Sequence, residues 1–228
     1  MGLIFCLINK NDKMNLPNSD LSIEDNTSYE SNVSTENNVA SDYETLDVEN
    51  EYVKLLLKKA TGNWQQIDEG FDFEGDKSLE EVYYDADSKD KILASDLSRD
   101  DKMFLAFSEI NDKANIEVKS GVSFSFDGEI IEAAFRRIFG ENVKYENGNF
   151  KYPRCKFKDG KYTCDFDARA GDGYSSKIVS AYKYSDKIEI NVNVELLAGD
   201  QEDKLGNYKY TFKKENANYY FYSVEKVK

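Results

Sequence analysis

The hydrophobic pattern of the chain changes period near residue 140. Before that point apolar residues recur at three- and four-residue spacing, the repeat of a helix with one buried face. Tyr52, Val53, Leu56, Leu57 and Ala60 form such a face, and Gly62 follows as a stop. Leu79, Val82 and Tyr83 mark a short second helix. Ser98 and Asp101 have the spacing of a capping box, and Met103, Phe104, Phe107 and Ile110 then predict a further helix. The clearest helix places Ile130, Ile131, Ala134, Phe135 and Ile138 on its buried face. Ser125 or Asp127 can cap it, and Gly140 stands where a C-terminal glycine belongs.

After Gly140 the period is two. Ile188, Ile190, Val192, Val194 and Leu196 alternate with Glu189, Asn191, Asn193 and Glu195, which predicts a strand with one dry face and one wet one. Tyr208, Tyr210 and Phe212 repeat the pattern, and Tyr219 to Val227 supply a last strand. Turns near Ser185–Asp186 and Glu215–Asn216 join these strands into a meander. N-terminal helices followed by an antiparallel meander sheet make an α+β fold, here a single domain over 51–228. This order is also similar to the cystatin-like and NTF2-like cone folds, which host both enzymes and inert binding modules.

Asp159-Gly160 is a two-residue hairpin turn, and it fixes a register. Lys158 faces Lys161, Phe157 faces Tyr162, and Cys155 faces Cys164. Counting outward from the closing pair puts the cysteines at a non-hydrogen-bonded pair, where Cα atoms lie about 4.5 Å apart and a disulfide can form. A structural disulfide implies an oxidising compartment. Two reduced cysteines packed side by side are the other reading. Redox-active cysteines favour Cys-x-x-Cys spacing, which this pair does not have. Cys6 is left over.

The N-terminus departs from the globular pattern. Residues 2–8 are an apolar run too short to cross a bilayer, which takes roughly 20 residues. We read 1–9 as the remnant of a membrane anchor whose earlier part lies upstream; a frayed apolar end is the alternative. Residues 10–50 read as a disordered acidic linker, since Asn15 to Glu51 contain no Lys or Arg and have no periodic apolar positions. A flexible tract of that length spans about 35 Å, which suits a tether.

Composition narrows the function. The net charge of −14 opposes binding to nucleic acid or directly to anionic lipid. The chain has no histidine, which removes His-dependent triads and the commonest metal ligand. Asp165, Asp167 and Asp172, with Gly171 and Gly173, look like a calcium loop, but Arg169 takes a ligand position and no glutamate closes it. Asp85 with Asp87, or Glu80 with Glu81, could be drawn as an acid–base pair; in so acidic a chain such pairs arise by chance. The tyrosine-rich strands could offer a sugar platform, though alternating aromatics more often face a core. No catalytic residue, metal or cofactor is expected.

Three stretches carry a resemblance: Asp101 to Phe107, Glu129 to Gly140, and Tyr208 to Lys228. With the paired cysteines, they are similar to uncharacterised membrane-anchored extracytoplasmic domains of low-GC Gram-positive gut bacteria. The resemblance implies an N-terminal anchor, a polar linker and an outer domain, and transfers no functional residue. The expectation is a non-enzymatic, monomeric binding or scaffolding domain outside the cytoplasm, with an unidentified protein or cell-envelope ligand. The alternatives are an NTF2-like small-molecule-binding enzyme with a deep pocket, and a cytosolic interaction protein with an acidic tail.

Overall fold

The computed structural model describes residues 42–62, 79–84, 89–114, 122–151, 154–166, 173–198 and 201–227. Helix α1 spans Glu51–Thr61. The Asn50 side chain accepts from the Tyr52 N–H, and Gly62 ends the helix at φ 75°. Val53, Leu56, Leu57 and Ala60 are buried, as their spacing requires. Tyr52 and Leu55 are exposed instead. Helix α2 is the short Leu79–Tyr84.

Helix α3 runs Arg99–Ala114. Its capping box forms as the sequence predicts: Asp101 N donates to Ser98 Oγ, and Ser98 N donates to the Asp101 carboxylate, each at 3.1 Å. Helix α4 spans Gly128–Phe139. Asp127 caps it by backbone geometry without a side-chain bond, and Gly140 closes it at φ 64°. A Cβ at Gly140 would come within 2.9 Å of Glu215 and 3.0 Å of the Tyr220 ring, so both conformation and space demand glycine.

Strands β1 (Glu44–Leu46), β2 (Lys91–Leu93), β6 (Gly173–Lys183), β7 (Lys187–Ala198), β8 (Gln201–Glu215) and β9 (Asn218–Val227) make a six-stranded sheet in the order β1-β6-β7-β8-β9-β2. The ladders are antiparallel, and β6 to β9 are the expected meander. The fold is α+β. Its core lies where the inner face of this sheet meets the helices. Ile188, Ile190, Val192, Val194, Tyr210 and Phe212 have no exposed surface there. Burying a side chain of this size contributes about 1.5–3 kcal/mol.

A second sheet has the order β3-β5-β4, from β3 (Val122–Asp127), β4 (Arg154–Lys158) and β5 (Lys161–Phe166). Three strands escape the periodicity argument. Strand β3 carries the two cap candidates, Ser125 and Asp127, of the helix that follows, and β2 is three residues long. Strand β1 lies inside the stretch that composition assigned to a linker; it is three residues long and mostly exposed, so no alternation marks it. Among the described residues no helix is long and apolar enough to cross a membrane.

Candidate functional site

The site is built on the β4–β5 hairpin. Asp159 and Gly160 both take positive φ, 51° and 79°, as a tight two-residue turn requires. The register is the one the turn dictates: Lys158 opposite Lys161, Phe157 opposite Tyr162, Cys155 opposite Cys164. Cys155 exchanges both backbone hydrogen bonds with Phe150, at 2.9 and 3.0 Å, on the side away from β5. Its pair with Cys164 is therefore the non-hydrogen-bonded kind. The two sulfurs form a disulfide, with Cα atoms 4.0 Å apart. The cysteines are 2% and 0% exposed, so the bridge is sealed from solvent reductants.

Tyr162 lies beside the bridge and organises the loop that follows α4. Its ring is fully buried against Phe157 and Phe150. Its hydroxyl donates to Asn147 Oδ1 at 3.1 Å, accepts from the Gly148 N–H at 3.2 Å, and lies 3.3 Å from the Tyr145 hydroxyl. Burial, then the bond with Tyr162, push the Tyr145 hydroxyl well above the ordinary tyrosine range. Arg99, from α3, grips the same loop through the carbonyls of Gly148 and Asn149, at 2.7 and 2.5 Å. Asn149 Oδ1 accepts from the Phe157 N–H at 2.8 Å and covers part of the edge of β4. An aromatic series then runs from Tyr145 to Phe135 and Phe139 on α4 and on to Phe221 on β9. The hairpin is thus keyed into the main core.

What the hairpin presents outward is polar. Arg154, Lys156, Lys158 and Lys161 are exposed, and Lys161 pairs with Asp127 at 2.9 Å. Lysines on an edge strand such as β4 also discourage sheet-to-sheet association.

No protein-family model, curated protein or solved structure matches this chain.

The other sequence candidates do not converge. Asp165 is on β5, hydrogen-bonded by Ser123 at 2.5 Å, whereas Asp167 and Asp172 fall outside the described residues. Asp85 and Asp87 fall outside them too, as do the side chains of Glu80 and Glu81 on α2. Among the described residues no cluster of three or more potential ligands could hold a metal. The tyrosines of the inner face pack as core. Tyr83 donates to the Ala60 carbonyl at 3.0 Å, Tyr84 and Tyr210 share a hydroxyl–hydroxyl bond, and Tyr208 lies 4.7 Å from Tyr84, ring to ring. The loop contacts of Tyr162 and the grip of Arg99 were not foreseen. The Glu146-Asn147-Gly148-Asn149 run, dense in turn formers, was the available signal.

Proposed function

We propose that this chain is a non-enzymatic binding or scaffolding domain that works outside the cytoplasm, held at the membrane by its N-terminal leader. The observation that carries the reading is the buried Cys155–Cys164 bridge. A fully buried cross-strand disulfide persists where thiols are oxidised, and reducing compartments keep such pairs open. The absence of histidine from the sequence supports a binding role, as does the use of the inner-face tyrosine hydroxyls in packing.

The compartment is tested in the native cells by trapping thiols with a polymer-linked maleimide under denaturing conditions. The reading expects Cys155 and Cys164 to resist modification until a reductant is added. It also expects added protease to remove the domain from intact cells. Modification without reductant, together with protection from protease, would favour the cytosolic alternative.

A further inference from the structure

The loop between α4 and β4 holds the only Asn-Gly pair in the chain, Asn147-Gly148. An asparagine carboxamide is open to attack by the backbone nitrogen of the next residue, and a glycine leaves that nitrogen least hindered. In a free peptide the two groups meet by chance. Here they are held on one hydroxyl. The Tyr162 hydroxyl accepts from the Gly148 N–H at 3.2 Å and donates to Asn147 Oδ1 at 3.1 Å. Asn147 Oδ1 takes a second hydrogen bond from the Tyr145 hydroxyl at 2.7 Å. Burial keeps that hydroxyl protonated, so it stays a donor.

Positive charge lies where the attack develops negative charge. Arg99 Nη2 reaches the carbonyls of Glu146 and Gly148, at 3.3 and 2.7 Å, one on each side of the Asn147–Gly148 peptide bond. A Cβ on Gly148 would lie 3.0 Å from the same nitrogen, and the φ of 148° favours glycine there. A guanidinium so placed stabilises an anionic amide nitrogen, and two hydroxyls on Oδ1 stabilise the oxyanion that follows. Asn147 is exposed, so water reaches it.

We infer that Asn147-Gly148 is a self-modification site, where the folded chain closes a succinimide ring and water opens it to isoaspartate or aspartate. The Gly148 nitrogen bonds to Asn147 Cγ. Its proton passes to the Tyr162 oxygen as the Tyr162 proton passes to Oδ1. The Cγ–Nδ2 bond then breaks, the proton on Oδ1 goes to the leaving nitrogen, and ammonia departs. Water adds to either ring carbonyl, and both tyrosines end unchanged. The isoaspartyl product has one more methylene in its main chain and a new carboxylate near Arg99. It draws the Gly148 amide off Tyr162 and loosens the loop that keys the hairpin into the core. The inference is independent of compartment and ligand.

The test ages the full chain at neutral pH, native and in urea. Mass spectrometry follows the tryptic peptide Tyr145–Lys151 for loss of ammonia and then gain of water. The expected result is faster conversion in the native chain than in urea. Tyr162→Phe should slow native conversion about tenfold, less than a positioned acid–base group supplies in an enclosed enzyme site. Tyr145→Phe leaves the Tyr162 relay in place and should slow it less. In urea both variants should match the wild type. A hydroxyl that merely tethers the loop predicts the reverse for Tyr162→Phe, because a freed loop cyclises faster. Faster native conversion in that variant would overturn the inference. So would native conversion no faster than in urea, or none at all.

Discussion

Cys155 and Cys164 sit directly opposite each other on β4 and β5, bridged and closed off from water, because both hydrogen-bonding groups of Cys155 turn away to Phe150. The bridge closes a short loop, so its entropic stabilisation is modest, about 2–3 kcal/mol. Replacing both cysteines with alanine should lower Tm by roughly 5–10 °C in a domain of this size. The wild type should lose a similar amount when fully reduced, and the variant should not respond to reductant. Thermal unfolding followed by circular dichroism, with and without reductant, checks all three.

Tyr162→Phe removes one hydroxyl and keeps the ring. It leaves the part-buried Gly148 N–H without its acceptor, whereas Asn147 Oδ1 keeps the Tyr145 hydroxyl at 2.7 Å. The expected cost is about 0.5–1.5 kcal/mol, the net worth of an ordinary hydrogen bond. Hydrogen exchange should localise the damage, with the Gly148 amide exchanging faster and the helix α3 amides before Glu109 little changed.

Ser223 presents the opposite case. It has no exposed surface, and its hydroxyl has no hydrogen-bond partner among the described residues. Ser223→Ala should therefore leave stability unchanged or raise it by about 1 kcal/mol, which denaturant unfolding can resolve. A loss of more than that would mean the hydroxyl has a bound water or another partner.

The outer-face charges give a pH signature. The hydrogen bond from Lys209, with further help from Lys91, holds the Glu225 carboxyl below its ordinary 4.5. The folded state then binds fewer protons than the unfolded chain, so the contribution is present above pH 4.5 and fades as pH falls through the lowered value. Lys209 is raised above 10.5, chiefly by its bond to Glu225, so its contribution is lost only as pH rises beyond that. Asp101 works the other way, because burial raises its carboxyl and favours the acid form. Comparing Glu225→Gln with the wild type cancels Asp101. The variant should be less stable at pH 7 by on the order of 0.5–1 kcal/mol, as for partly exposed pairs, and the gap should shrink as pH falls below 4.5.

The legible parts of the fold were those with a strong local cause. The Asp159-Gly160 turn admits one register, and that register brings Cys155 to Cys164. Gly140 and the Ser98–Asp101 box mark helix ends whatever surrounds them. Strand β7 alternates cleanly because one face is core and the other wet. Strands β1 and β2 each have only three residues and exist through their partners β6 and β9, so their own residues carry no period. Strand β3 ends directly in α4, and the helix signal masks it. The grip of Arg99 on Gly148 and Asn149 joins positions about fifty residues apart, beyond any local rule.

The claim that this domain works in an oxidising place is tested most directly on protein taken from its own cells and digested without reduction. Trypsin cuts after Lys156, Lys158 and Lys161, which separates Cys155 from Cys164 unless sulfur joins them. The account predicts one linked pair of peptides by mass spectrometry, which resolves into two on reduction. Two separate peptides with alkylated thiols, from cells quenched at harvest, would contradict it.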